Sequence, residues 1–573
     1  MSMSSASLAE ATAPISPTPI SAPSNFPVTW KHPVDANQLW LRQQMHFPEP
    51  MTPLDEWLLR TEFEGINRIA QFYALPLYSE GRRFNTYAYA HLTPLPLPAA
   101  EMEAQGRLAQ AKLGVAMGSL RETWEREFLP EIRQILTNWA AFDLNAATMP
   151  VLLAHLDEMI VARERLWDIH FLVWFPAYTA ISLFEELYSE LFDANNSATV
   201  IGPAFDAYRL LQGFDNKTLE TAHALWQLSR RALSMPEVHR ILQEKSASKV
   251  LVNLEQSAEG QAFLTELRSY LEEYGQRSDK WVISVASWIE DPTPVIKNLK
   301  DYITQTDRDL RSEMVTLASE RERRLVAIRA QLQNYPQPVV DHFEFLLKAA
   351  QAGNVLTEDH GFWIDFRGWY PFRRLFLEFG NRFTAFGFLE RPEDIFYLTL
   401  DELHTTATLS RVDRRPLVAG RQAEVAYFRG IQPPSILGTL PIGPPADDPV
   451  SRTLSKFFGA PPPPHTVPNL LRGNGGSPGT VRGPARVIRT LAEATKLQLG
   501  DVLVAITTAP PWTPLFATAA AVITDTGGIL SHCAVMAREY GIPAVVGTGT
   551  ATVIITDGQL VEVDGATGIV RIL

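Results

Sequence analysis

The residues best equipped for chemistry lie near the end of the chain, in Thr524-Asp-Thr-Gly-Gly-Ile-Leu-Ser-His-Cys-Ala-Val-Met-Ala-Arg-Glu-Tyr-Gly-Ile-Pro-Ala-Val-Val-Gly547. An apolar run over 519–523 predicts a buried strand, and Gly527-Gly528 breaks it. Ser531 is a good N-cap, and Ala534, Val535, Ala537 and Arg538 continue as a short helix that Gly541-Ile-Pro543 stops. This arrangement presents His532 at a helix start. Free backbone N–H groups and the positive end of the helix dipole favour an anion there. An imidazole that accepts a phosphoryl group needs that setting: neutral as a nucleophile, and surrounded by donors once it carries negative charge. A histidine at a helix start is ordinarily a cap or a surface residue, so the wider motif has to decide. Cys533 beside it is read as a small apolar packing residue.

The whole pattern, Gly-Gly-x-x-Ser-His-x-Ala-x-x-Ala-Arg-Glu-x-Gly-Ile-Pro-Ala-Val-Val-Gly, resembles the mobile phosphohistidine domain of the PEP-utilising enzyme family, which includes phosphoenolpyruvate synthase, pyruvate phosphate dikinase and rifampicin phosphotransferase. Gly479-Thr-Val-Arg-Gly-Pro-Ala-Arg-Val-Ile488, Gly500-Asp-Val-Leu-Val504 and Pro511-Trp-Thr-Pro-Leu-Phe516 are similar to the same family. The resemblance implies that His532 is the phosphorylated residue. It implies that Thr526, Gly527, Gly528 and Ser531 cradle the phosphate, with Arg538 either adding charge or serving as a structural ion-pair residue.

The elements that must position this motif follow from the rest of the chain. Residues 26–431 carry apolar residues mostly at helical spacing, over 101–135, 149–192, 205–232 and, after Pro292 and Pro294, on to about residue 334. The charged stretch Asp307-Arg308-Asp309 within the last of these reads as a solvated helix face. Residues 432–478 are rich in proline and glycine and read as a linker, long enough for a domain to swing. From 479 to 573 short strands are expected at 485–489, 501–505, 519–525, 544–547, 553–556, 560–564 and 569–573, with one or two helices. The expected architecture is multidomain: a large mostly α-helical domain, followed by a compact α/β swivelling phosphohistidine domain.

Composition narrows the classes. The 573 residues are 46% hydrophobic and 20% charged, with a formal net charge of −13, which argues against nucleic acid or an anionic membrane as the main partner. One cysteine excludes an internal disulfide and a cysteine-based metal cluster. Residues 1–25 lack a basic n-region and an apolar h-region and read as a disordered tail rather than a secretory signal. No run reaches the roughly eighteen uninterrupted apolar residues of a membrane span, so a cytoplasmic location is the default expectation.

Aromatic residues cluster around His170 (Trp167, Phe171, Trp174, Phe175, Tyr178) and from Phe362 to Phe388. Most are expected to fill a helical core. A few are candidates to line an acceptor pocket, with Trp363 as an apolar wall and His170, His360, Asp365 and Arg367 as polar handles. His46-Phe-Pro-Glu-Pro-Met-Thr-Pro-Leu54, Tyr274-Gly-Gln-Arg277, Trp288-Ile-Glu-Asp-Pro292 and Arg391-Pro-Glu-Asp-Ile-Phe-Tyr-Leu-Thr-Leu-Asp-Glu-Leu403 resemble the central domain of rifampicin phosphotransferase and the matching subunit of phenylphosphate synthase. Gln276 departs from that pattern, which carries a histidine at its position.

No glycine-rich phosphate loop followed by lysine, no ATP-grasp module and no barrel after residue 573 is evident in the sequence. The resemblance therefore implies the phosphohistidine-bearing subunit of a two-component phosphotransferase acting on a small phenolic acceptor. ATP and Mg²⁺ would sit on a separate ATP-grasp subunit, where ATP gives AMP and inorganic phosphate. An antibiotic or other natural product as acceptor, and a phosphocarrier without turnover of its own, are the alternatives. His532 generates a direct test. Incubation with an ATP-grasp partner and β-labelled ATP should give an acid-labile, alkali-stable phosphoprotein, and His532→Ala should remove the label while leaving the protein folded. Label persisting in that variant overturns the assignment.

Overall fold

A computed structural model describes residues 18–20, 22–192, 203–306, 308–409, 411–440, 448–459 and 467–573. A large helical part and a C-terminal α/β part are both present, as the sequence pattern requires. Most of the stretch read as a tail lies outside the described residues, but Thr18–Ile20 is a strand.

The helical part is built on one 44-residue helix, Met149–Phe192. Against it packs a helix over Gln337–His360, which runs through a wider turn at Gly361–Phe366 into a third helix, Arg367–Ala385. The wider turn has i→i+5 hydrogen bonding, so residues five apart stack along one face. Two expected helices are each divided. The run over 205–232 gives Pro203–Arg209 and Lys217–Leu233, separated at Gly213, whose φ is +72° and where a Cβ would meet the Ala318 backbone N at 2.6 Å. The run after Pro292 gives Thr293–Thr304 and Leu310–Leu332. Asp309, read as part of a solvated helix face, is the N-cap of the second, accepting from the N–H groups of Arg311 and Ser312 at 3.1 and 3.3 Å.

A five-stranded antiparallel sheet flanks the helices: β1 (Thr18–Ile20), β2 (Leu39–Arg42), β3 (Leu77–Phe84), β4 (Tyr87–Pro94) and β5 (Ile436–Leu440), in the order β1-β5-β2-β4-β3. The C-terminal part holds β6 (Leu470–Arg472), β7 (Asn474–Ser477), β8 (Thr480–Val487), β9 (Val502–Ala505), β10 (Ala521–Thr524), β11 (Ala544–Val546), β12 (Leu560–Asp564) and β13 (Ile569–Ile572). Their order is β6-β13-β12-β8-β9-β10-β11-β7, and β8 to β11 run parallel. Alternation along β9 sends Val502 and Val504 into one core and Leu503 and Ala505 into the other, under the helix His532–Glu539. Residues 551–554 form a helical turn where a strand was expected at 553–556.

The stretch 432–478 differs most from its sequence reading as a linker. It supplies β5 to the first sheet, β6 and β7 to the second, and a helix, Pro449–Phe458, laid on the long helix. Lys456 pairs with Glu185 and Glu186, and Arg452 pairs with Glu186 at 3.1 Å. Residues 441–447 and 460–466 lie outside the described residues. Proline and glycine report turns and strand ends here as readily as a tether.

The two helices that carry the candidate residues touch backbone to backbone. A Cβ on Gly353 would lie 2.7 Å from the carbonyl oxygen of Ala177 on the long helix. Gly353→Ala should lower stability by about 1–3 kcal/mol in denaturant titration, because neither backbone can yield without moving its helix. An unchanged midpoint would refute this close approach.

Candidate functional site

His532 opens the helix His532–Glu539 directly after Ser531, whose extended backbone (φ −68°, ψ 157°) makes it the N-cap residue. The ring lies mostly covered, in a cavity walled by both parts of the chain. Its Nδ1 is 3.3 Å from Oε1 of Glu358, near the end of the Gln337–His360 helix. Glu358 is itself held by Thr218, whose hydroxyl donates to Oε2 at 2.7 Å. Burial by itself lifts the Glu358 carboxyl, but His532, Thr218 and His360 outweigh it and hold the group below the usual carboxylate range. An ionised carboxylate can only accept, so Nδ1 carries the proton and Nε2 the lone pair. Thr513 Oγ1 stands 3.4 Å from that Nε2.

The glycine turn before the helix is fixed by its neighbours. Gly527 has φ +99°, and a Cβ there would lie 2.8 Å from Ser531 Oγ, so only glycine leaves that hydroxyl in place. Ser531 Oγ is buried without a hydrogen-bond partner beside the ring, the setting of a donor awaiting an anion. The Gly528 N–H is already given to the Phe457 carbonyl at 2.8 Å, and Thr526 gives its N–H and its hydroxyl to Ile506 at 3.0 Å each. In this arrangement Gly528 and Thr526 have no such donor to spare. Arg538 does not reach the cavity. Its Nη1 donates to the carbonyls of Gly476 and Ile529 at 2.9 Å, and its guanidinium lies over Tyr208, tying β7 and the turn together. Cys533 is buried, and burial pushes its thiol up to about 12, as befits a packing residue.

Of the acceptor candidates, His170, His360 and Asp365 line the same cavity as His532, whereas Trp363 and Arg367 do not. Trp363 packs between Arg133 and Arg367, and Arg367 pairs with Glu273 at 3.3 Å. The wide turn explains the split: it stacks Asp365 on His360 and turns Trp363 away from the cavity into the helical core. Nδ1 of His170 is 3.2 Å from Oδ1 of Asp365, and the Arg163 Nη2 lies 3.8 Å from the same oxygen. His360 Nδ1 is 2.5 Å from the Leu356 carbonyl, which leaves its Nε2 unprotonated. The remaining wall is aromatic, from Trp167, Trp174, Tyr178, Trp281 and Trp369, with His46 and Glu62 beside it. Sequence reasoning missed Glu358, Thr218, Glu62 and Arg163, for which no local pattern gives a signal. His46 and Thr513 stood inside quoted motifs without an assigned role, and Trp167, Trp174 and Tyr178 inside the aromatic cluster. Gln276 lies away from the cavity, in a separate cleft with Tyr370 and Arg373.

Residues 497–568, which hold the whole of this helix and its glycine turn, match the PEP-utilising enzyme mobile domain. The chain carries that mobile domain. Residues 170–358, from His170 to the carboxylate facing His532, match the rifampicin phosphotransferase fourth domain. Chondramide synthase of Chondromyces crocatus is 42% identical over 96% of this chain and 14% of its own length. An uncharacterised phosphotransferase of Bacillus subtilis is 30% identical over 71% of this chain and 47% of its own. Rifampicin phosphotransferase of Streptomyces sviceus is 36% identical over 36% of this chain and 22% of its own. The chain thus spans less than half the length of each of these relatives. No helix among the described residues is long and apolar enough to cross a membrane.

The contact between the mobile domain and the helical part should respond to acid. Burial holds His46 and His360 down at about 4, from an ordinary value of 6.5. The unfolded chain takes up these protons below pH 6.5, and the folded chain does so only near 4. Their stabilising share is therefore complete above about pH 6.5 and is lost as the pH falls towards 4. The melting temperature should drop across that window, and His46→Leu should flatten the dependence. An unaltered pH profile in that variant would rule out His46 as a contributor.

Proposed function

We propose that this chain is the phosphohistidine-bearing part of an ATP-dependent phosphotransferase acting on a small phenolic hydroxyl. The observation that carries this reading is that His532 of the mobile domain opens into one cavity with an aromatic wall and the buried bases His170, His360 and Asp365. Among the described residues that line the cavity there is no lysine or arginine to hold a nucleotide's phosphates, so ATP and Mg²⁺ are assigned to a separate ATP-grasp subunit.

The phosphoryl group resides on Nε2 of His532, because Nδ1 faces Glu358. The acceptor O–H loses its proton to the buried cluster. The resulting oxygen attacks phosphorus, the P–N bond breaks, and its electron pair returns to Nε2. Glu358 keeps the proton on Nδ1, so the leaving group is a neutral imidazole rather than an imidazolate. A phenol has a pKa near 10, so a base that raises the phenolate fraction contributes about 10²–10⁴-fold. The cavity, about 90 Å³, is small beside the roughly 300–1,000 Å³ of drug-sized sites and suits a single ring.

A second reading, a natural-product acceptor, is favoured by the match to a protein named rifampicin phosphotransferase. Single-turnover chase from labelled His532 separates the two. Phenol or a cresol should discharge the label faster than an aliphatic alcohol of similar size, and preference for the aliphatic compound overturns the phenolic reading. Discharge only to a large polycyclic acceptor selects the second. Label that leaves for no small molecule makes the chain a phosphocarrier. Glu358→Gln should leave loading intact and slow discharge by about tenfold or more.

A further inference from the structure

The charge around His532 is the wrong sign for phosphoryl transfer. Three acidic side chains line the cavity, Glu62, Glu358 and Asp365, and no lysine or arginine does among the described residues. The Arg163 guanidinium, 3.8 Å from Asp365 Oδ1, does not line the cavity. Its Nη1 donates to the Ile364 carbonyl, and its plane lies 3.6 Å from the Trp369 ring centroid and 4.2 Å from that of Trp167. A transferring phosphoryl group spreads negative charge over its oxygens and needs cations aimed at them.

The same wall carries ligand-type groups left over from the protein's own bonding. His170, His360 and Asp365 are all buried, and one ligand atom from each lies within 4.8 Å of the others. Both oxygens of Asp365 and Nδ1 of His170 lack a well-aligned hydrogen-bond partner, although Asp365 is only 1% exposed. A buried carboxylate without hydrogen bonds is costly unless something else supplies the positive charge. The 3.2 Å between His170 Nδ1 and Asp365 Oδ1 falls within the roughly 3.0–3.4 Å that separates two ligands held at about 2.1 Å on one cation. The Leu356 carbonyl orients His360 through its Nδ1 and frees Nε2 as the ligand atom, the usual support of a metal-bound histidine.

We propose that His170, His360 and Asp365 bind one divalent cation, which holds the acceptor oxygen for transfer from His532. Two imidazoles and one carboxylate select a first-row ion such as Zn²⁺, Mn²⁺ or Co²⁺ over Mg²⁺, which prefers oxygen ligands. Three protein ligands leave a coordination position for the acceptor hydroxyl. Bound there, the O–H bond weakens and its proton passes to the carboxylate of Glu62, which lines the same cavity. The oxygen attacks phosphorus while the P–N bond breaks towards Nε2, and the ion offsets the charge that the three acidic side chains would otherwise oppose. No electron is exchanged with the ion. This site rests on the phosphotransfer reading for its purpose, but not for its existence.

The full-length chain, stripped with chelator and dialysed in turn against Zn²⁺, Mn²⁺ and Co²⁺, tests it by metal content and titration calorimetry, without partner, nucleotide or acceptor. About one equivalent per chain should be retained. His170→Gln, His360→Gln and Asp365→Asn should each weaken binding by about tenfold or more, while His532→Ala binds as the native chain does. Should those variants fail to fold, pulsed electron paramagnetic resonance of Mn²⁺ on native protein with ¹⁵N-labelled histidine should show coupling to two imidazole nitrogens. Absence of uptake, uptake that survives all three substitutions, or absence of nitrogen coupling overturns the proposal. A chain that binds the ion yet never takes label on His532 sinks the phosphotransfer reading and leaves the metal site standing.

Discussion

The arrangement depends on one buried carboxylate. Glu358 sits between the Thr218 hydroxyl and the His532 imidazole, linking the helical part to the first residue of the mobile-domain helix. Its burial would ordinarily drive it neutral; the two donors keep it ionised. That charge fixes which nitrogen of His532 holds the proton and which carries the lone pair. A local electrostatic contact thereby sets the tautomer of a residue 174 positions further along the chain.

The glycine turn is held by a second contact of the same kind. The Pro449–Phe458 helix, paired to the long helix through Lys456 and Arg452, receives the N–H groups of Gly528 and Leu530 on its last carbonyls. The glycine turn before His532 is therefore docked in part by backbone hydrogen bonds, which are readily exchanged for water. Apolar contacts add to it: Leu530 packs with Phe457 and Tyr178, and Leu219 of the helical part joins the core under the His532–Glu539 helix.

The cavity joins two chemistries that the chain encodes far apart. Aromatic residues of the long helix and the Trp281 loop give it an apolar wall, while the wide turn at Gly361–Phe366 brings an aspartate onto the face of a histidine five residues earlier. A regular helix would have turned Asp365 away. The irregular turn lies at the cavity wall and is flanked by ordinary helix on both sides.

The sequence by itself determined the strand, glycine turn and helix around His532, because each is set by neighbours within a few residues: an apolar run, Gly527 and Ser531. It also determined the long helix, whose apolar spacing runs unbroken from Met149 to Phe192. Proline and glycine between 432 and 478 were misleading, since they mark strand ends and caps as well as tethers, and only pairing partners distant in sequence tell these apart. Arg538 and Trp363 were ambiguous for the same reason: a residue type shows what a side chain can do, and its neighbours in space decide whether it does so. Glu358, Thr218, Glu62 and Arg163 have no local signature at all. Their roles arise from burial and from groups contributed by other elements, and charge in a low-dielectric interior is set by distance in space rather than by position along the chain.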